Sequence, residues 1–379
     1  MRVDVVTLTE RLVAVDTAPG LSTNPLVQLL ADEARGLGAV VALQDGVHEG
    51  VPQQNLVVRF GGDGPAGLVL AGHIDTVPWS AGQRATATPE RAGTTLFGRG
   101  TCDMKGAVAA QLEAAAAQVE RLSRPLVLCW TYAEEVGCHG AVALVDQQGL
   151  MGDLSDARCI VGEPTGLVPI TAHKGYGVVG ISLRGEPAHS SNPWAGADAS
   201  VPLGSLLRNL HALREVLRSE GNPQAEFVPP CTTLNTGLVT AGVARNVVPP
   251  VAEIIVECRP LPGADVADLQ KRIDSCIELA CAAAPGVSGH SHWHELRPAF
   301  DQPRDDKLVQ WLSQHTGFAP GAVPFYTEAE IYRSGLAVPT VVCGPGSIEQ
   351  AHRVDESVAF EQLAAGQALY EDAIAAFCC

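Results

Sequence analysis

Apolar runs of strand length alternate with helical segments through the first part of the chain, and several runs end on an imidazole or a carboxylate. GLVLAG delivers His73 and Asp75, PLVLCWTYAEE closes on Glu134 and Glu135, and CIVGEPT closes on Glu163. Between them, LFGRGTCDMKG places Asp103 just ahead of AVAAQLEAAAAQVERL, an Ala-rich helix of high intrinsic propensity. A shorter helix, GAVALVDQQG, precedes the Glu163 strand. Strands and helices alternating over short connections predict an α/β fold, a mostly parallel mixed sheet sandwiched by helices. In such sheets ligands bind beyond the carboxyl ends of the strands, which is where these side chains fall.

The segments before this array fit the same picture. Val5, Leu8, Leu12 and Val15 recur at helical spacing. A second helix is predicted with Asn24 as N-cap, Pro25 in its first turn and Gly36 as its stop, followed by the strands AVVALQ and QNLVVRF. From about Gly175 the style changes. YGVVGISLRGEPAHSSNP, TTLNTGLVTA and RNVVPPVAEIIVECRPLPG read as strands, with only two helices, in ASVPLGSLLRNLHALREVLRSEG and DVADLQKRIDSCIELACAAA, among them. That is an α+β unit, one sheet with two helices on one face. Alternation then resumes in DDKLVQWLSQH, VPTVVCGPG and FEQLAAGQALYEDAIAAF. The expected organisation is a catalytic domain of residues 1–174 plus 296–379, interrupted by an inserted α+β domain of residues 175–295.

Composition bears on partners and compartment. A net charge of −17 argues against nucleic acid, whose recognition needs clustered Lys and Arg, and fits an enzyme with carboxylate-rich chemistry. No apolar stretch reaches bilayer-spanning length, and the N-terminal segment lacks a cleavable leader pattern. Eleven cysteines without a CxxC or framework spacing point to reduced thiols in the cytoplasm, most of them small core residues.

Taken singly, each polar strand end has an ordinary structural reading: a helix cap at Asp103, a turn carboxylate at Glu163, a loop histidine at His352 in GPGSIEQAH. Together they converge on one edge of one sheet. Carboxylates gathered there would repel each other and resist ionisation unless a cation joined them. Imidazoles and carboxylates without thiolates suit one or two zinc ions or a similar divalent metal. One member of the Glu134–Glu135 pair is then left over as a general base for water, passing its proton to a leaving nitrogen, which is amide hydrolysis.

The ordered set GHIDTVP, GRGTCDMKG, AEEVG, GEPT and GPGSIEQAH resembles the dinuclear zinc aminoacylase and exopeptidase family, the M20-type metallopeptidases, over nearly the whole chain. The resemblance implies His73, Asp103 and Glu163 on one metal, with Asp103 bridging to a second held by Glu135 and His352. Zn2+ is the implied ion, with Co2+ a substitute. It further implies Glu134 as general base, Asp75 as the partner orienting His73, and a non-proline cis peptide between Asp103 and Met104. In the inserted unit it implies that His189, in AHSSNP, steadies the oxyanion in the partner subunit's active site, hence a homodimer through that lid. Asn246 in RNVVP and Arg259 in CRPLPG are the implied substrate contacts, the arginine suiting a bidentate grip on an α-carboxylate.

AHKGY, TLNTG, CRPLPG, YTEAE and the DE after His352 lean toward family members that take the acetyl group off N2-acetylornithine, yielding ornithine for arginine synthesis. Glu328 is then the candidate for the cationic ornithine side chain. The alternatives are a desuccinylase acting on succinyl-diaminopimelate, a broader N-acyl-amino-acid deacylase or dipeptidase, and a non-catalytic metal-binding regulatory protein. The spare carboxylate of Glu134 separates the enzymes from the last, since binding alone needs no base. Cys102 departs from the family pattern, which has a small residue such as Ala or Ser before the bridging aspartate; it is either a reactive thiol beside the metals or a packed small side chain. His290, His292 and His294 share one strand face, either as an adventitious metal site or as solvent-facing residues.

Overall fold

The structure is a computed structural model that describes residues 4–222 and 226–379; the first three residues of the segment read for a leader lie outside them. The chain forms two compact units. One comprises residues up to Thr171 with Gln302–Gly321 and Thr327–Cys379, and the other comprises Ala172–Asp301 with Ala322–Tyr326.

The first unit is built on a mixed sheet whose order runs Val40–His48, Val51–Phe60, Leu126–Thr131, Leu68–His73, Arg158–Pro164, Thr340–Gly344 and Ile170–His173. The four central strands, from Leu126–Thr131 to Thr340–Gly344, are mutually parallel, and antiparallel strands flank them. Leu68–His73 and Leu126–Thr131 are buried at every position, as strands covered on both faces must be. Helices Val5–Val13, Lys105–Gln118 and Phe360–Cys378 cover one face, and His139–Asp146 and Ala329–Leu336 the other. Lys105–Gln118 lies between the sheet and two neighbouring helices, which explains its alanine-rich, nearly unpatterned sequence: almost all of its circumference is buried. Gln111 pins it to the sheet, accepting from Trp130 Nε1 at 2.7 Å and donating to the Ala71 carbonyl at 2.9 Å.

Local chemistry departs from the sequence expectation in two places. Asn24 is the first helical residue and not the cap; Thr23 takes the cap position, where Gln53 Oε1 accepts its N–H at 2.9 Å. Gly36 still lies in the helix, and the left-handed residue after it is Gly38 (φ 84°). The first two strands of the sheet are joined by a tight turn in which Glu49 and Gly50 both have positive φ, matching the strand twist. A separate three-stranded sheet of three-residue strands, Glu90–Ala92, Thr95–Phe97 and Ser357–Ala359, occupies what reads in the sequence as a loop.

The second unit is an antiparallel sheet ordered Thr233–Ala241, Val251–Arg259, Tyr176–Arg184 and Ser288–Arg297. Its two inner strands, Val251–Arg259 and Tyr176–Arg184, alternate buried and open positions. Val179, Ile181 and Leu183 with Ile254, Val256 and Cys258 form a core with Leu206, Leu210 and Leu213 of helix Ser200–Ser219 and Leu269, Ile273 and Ile277 of helix Val266–Cys281. His290, His292 and His294 are exposed on the other face, the last two with ring centroids 5.0 Å apart. No helix among the described residues is long and apolar enough to cross a membrane.

Candidate active site

His73 ends a buried strand because Gly72 before it admits the side chain of Met104: a Cβ at position 72 would overlap the Met104 thioether, whose sulfur accepts the His73 N–H at 3.3 Å. Met104 follows Asp103 through the non-proline cis peptide expected between them. His73 Nε2 lies 3.0 Å from Asp103 Oδ1 and 3.8 Å from Glu163 Oε1. On the other side of Asp103, Oδ2 is 3.4 Å from His352 Nε2, which is 3.0 Å from Glu135 Oε2. The result is two triads, His73–Asp103–Glu163 and Asp103–Glu135–His352, each with its ligand atoms within 4.8 Å of one another and with Asp103 in both.

Asp75 faces His73 through both its main chain and its carboxylate. Its main-chain carbonyl meets His73 Nδ1 at 3.0 Å, while the nearest carboxylate oxygen is 3.7 Å away. The carboxylate also accepts two successive main-chain N–H groups, Glu134 N at 3.0 Å and Glu135 N at 3.1 Å. Ala133 makes this possible, since its positive φ of 55° turns the chain just past the strand end. The Glu134 side chain points back into the site, and the Cys138 thiol lies 3.5 Å from its Oε1.

The electrostatics follow from four carboxylates and two imidazoles crowded into a largely buried site. Burial pushes Glu134 and Glu163 well above the usual carboxylate range, and neighbouring carboxylates add to it against the pull of His73. Burial and the Asp103 charge likewise raise Glu135. Asp103 goes the other way: burial alone would raise it, but hydrogen bonds from His352 and His73 hold it below the usual range. Those same bonds, with Asp103 and then Glu135, push His352 up to about 10. Burial opposes charge on His73, yet Asp103, Glu163 and Glu134 keep it well above the normal histidine value. Glu135 Oε1 is buried and has no hydrogen-bond partner among the described residues. An orphaned carboxylate oxygen inside a set of oxygen and nitrogen donors, with negative charge in excess, fits divalent cations.

Glu328 lies behind this cluster, fully buried, with Thr131 Oγ1 donating to one oxygen and the Tyr332 hydroxyl 3.5 Å from the other. Burial pushes it up to about 7. Cys102 is packed: its Sγ donates to the Ser347 carbonyl at 3.3 Å, and burial pushes the thiol well above its usual value, so it is an inert small side chain. In the second unit, His189 and Asn246 are neighbours and both exposed. His189 Nδ1 lies 2.8 Å from Ser191 Oγ, residue 189 pairs with Val247, and Ser190 N donates to the Asn246 carbonyl at 3.1 Å. Arg259 stands at a strand end with its guanidinium 4.6 Å from the Tyr176 ring centre and Nε donating to Glu257 at 2.8 Å.

Sequence reasoning missed Arg99 and Glu356, a buried ion pair at 2.5 Å immediately behind Asp103. Two signals were available, an arginine between glycines in GRG and a glutamate four residues after His352.

The sequence matches the model of peptidase family M20/M25/M40 over residues 69–376. It is 35% identical to the acetylornithine deacetylase of Myxococcus xanthus, over 98% of this chain and 97% of that protein. The fold is similar to an M20-family metallo-carboxypeptidase from Sulfolobus solfataricus (TM-score 0.77, 15% identity, 98% of each chain). It is also similar to a dinuclear metal-binding M20 peptidase from Bacillus subtilis (TM-score 0.71, 16% identity, 98% of this chain and 97% of that one). With a family match over most of its length and a full-length relative at this identity, the chain belongs to peptidase family M20/M25/M40.

Proposed function

We propose that this protein is a metal-dependent amidohydrolase that removes the acetyl group from N2-acetyl-L-ornithine, giving L-ornithine and acetate. The observation that carries the reading is the pair of triads sharing Asp103, with the carboxylate of Glu134 left beside them. His73, Asp103 and Glu163 would hold one ion, and Asp103, Glu135 and His352 the other, with Zn2+ the natural occupant and Co2+ a substitute. When bound, such ions polarise a carbonyl and acidify water. Glu134 as carboxylate takes a proton from the attacking water, and as acid it returns that proton to the departing amine nitrogen. Its raised pKa in the metal-free site fits a group that must exist in both forms.

The remaining roles fall to the second unit and to Glu328. His189 donates a hydrogen bond to the oxyanion, supplied from a partner subunit, so that the working form is a homodimer with residues 175–295 as lid and dimerisation domain. Arg259, stacked on Tyr176 and held at Nε, offers a planar fork to the substrate α-carboxylate, and Asn246 adds an amide contact. Glu328 takes the ornithine ammonium: a carboxylate whose present partners are neutral hydroxyls, and whose pKa is raised by burial, gains most from a cation. Eleven unpaired cysteines and the absence of a membrane-spanning helix among the described residues suit the cytoplasm.

The test is a side-by-side measurement of kcat/KM on acetylornithine, acetylcitrulline, succinyl-diaminopimelate and acetylmethionine with metal-reconstituted protein. Acetylornithine is expected to lead. A clear preference for succinyl-diaminopimelate or for neutral acyl-amino acids would replace this substrate with the desuccinylase or broad deacylase alternative. Glu328→Gln is expected to raise KM for acetylornithine far more than for acetylmethionine; equal losses on both would remove Glu328 from substrate recognition.

A further inference from the structure

His352 sits on a stretch without regular structure. From Ser347 to Asp355 this loop is largely exposed, and its first buried residue afterwards is Glu356. Glu356 is fully buried and reaches across to the loop that carries Asp103, more than 250 residues earlier in the chain. A single oxygen, Oε1, accepts three main-chain N–H groups: Gly100 at 3.0 Å, Cys102 at 3.0 Å and Asp103 at 3.1 Å. The three can converge because Gly100 has φ 87°, which folds this segment into a concave nest of amides. Oε2 accepts Arg99 Nη1 at 2.5 Å, and Arg99 Nη2 returns to the other loop, donating to the Arg353 carbonyl at 3.2 Å. The clasp is closed by Gly98 N on the Glu356 carbonyl at 3.1 Å, where Ser357–Ala359 begins its pairing with Thr95–Phe97.

A buried ion pair of this kind is a poor stabiliser compared with apolar packing of the same volume, because both charges lose their water. What it supplies is fixed geometry: each of these bonds joins the segment ending in Asp103 to the segment beginning at His352. We infer that Glu356 and Arg99 are positioning residues, which hold Asp103 and His352 at the separation that the Asp103–Glu135–His352 triad needs to bind its ion. The inference rests on the two-ion reading proposed above.

The experiment titrates metal-free protein with Co2+, followed by its visible absorption, and counts bound metal per chain after dialysis, for wild type, Glu356→Gln and Arg99→Lys. Wild type should take up two ions. In Glu356→Gln the amide keeps one acceptor but loses the charge and turns an NH2 toward donors, so one ion should bind normally and the other about 10- to 100-fold more weakly. Its kcat should fall and recover with added metal, while KM stays put. Arg99→Lys leaves the three amide bonds of Glu356 in place and releases the Arg353 carbonyl, so it should weaken the same ion to a smaller extent. It also provides the readout if Glu356→Gln does not fold, as judged by circular dichroism. Two ions bound at wild-type affinity in a folded Glu356→Gln, or in a folded Arg99→Lys where Glu356→Gln does not fold, would overturn the inference and leave the two-ion reading intact. Fewer than two ions in wild type would overturn that reading and this inference with it.

Discussion

Replacing Asp75 by asparagine tests how the site is assembled, because the carboxylate is committed to two adjacent amides, Glu134 N and Glu135 N. Asparagine offers one oxygen and one NH2 in the same space, so one amide keeps an acceptor and the other faces a donor. A hydrogen bond to a charged group contributes about 1.5–3 kcal/mol, and a buried donor left without a partner costs about 1–3 kcal/mol. The local penalty is therefore about 2.5–6 kcal/mol, set on the two residues that include the base. If half of it is expressed as misplacement of Glu134, kcat falls by roughly tenfold to about 150-fold, at about 1.4 kcal/mol per tenfold. Because His73 Nδ1 bonds to the main-chain carbonyl of residue 75, the His73–Asp103–Glu163 triad should keep its metal affinity. The assay is steady-state kinetics on acetylornithine with a Co2+ titration alongside. A kcat within twofold of wild type would refute the reasoning. So would a loss of affinity confined to the His73 triad, which would place the carboxylate behind the histidine after all.

Glu134→Ala should lower kcat by roughly 10²- to 10⁴-fold, the usual scale for a general base, with metal per chain unchanged; surviving turnover would mean that another group takes the proton. Glu328 gives a stability test in metal-free protein. Burial raises its pKa from 4.5 to about 7, so the folded state holds a proton that the unfolded chain has released. The stability present below pH 4.5 is lost as pH rises through about 7, a change on the order of 3 kcal/mol. Glu328→Gln mimics the protonated form, so its advantage over wild type in chemical denaturation should grow as pH rises from 4.5 to about 7 and level off above it; a difference that stays flat across that window would contradict the burial argument.

What was legible in the sequence divides by how far apart the interacting groups lie along the chain. Strand runs ending on His73, Glu134, Glu135 and Glu163 could be read because residue type and element are local, and their shared sheet edge follows from parallel topology. The two helices of the second unit could be read for the same reason, since Leu206, Leu210, Leu213 and Leu217 carry a helical period within one segment. Strands of three residues are too short to show alternation, which hid the sheet containing Thr95–Phe97 and Ser357–Ala359. The Thr23 cap was hidden too, because it depends on Gln53, thirty residues on.

The groups that aim the ligands were the least legible, for a physical reason. A carboxylate's partners are chosen by where main-chain amides converge, and convergence is set by single φ values at Ala133 and Gly100 that no side-chain pattern announces. Asp75 and Glu356 therefore look alike in the sequence, an acid near a histidine, yet the hydrogen bonds of both carboxylates go largely to main-chain amides. Each gathers the amides of a distant loop: Asp75 the loop of Glu134 and Glu135, Glu356 the loop of Asp103. Between them they fix three of the carboxylates that crowd the site, which cannot hold one another because they repel. Glu134, Glu135 and Asp103 are thus positioned through their main-chain amides by two carboxylates outside the triads, and because Glu356 is also paired with Arg99, the charge that crowds the site is left to the cations it is built to receive.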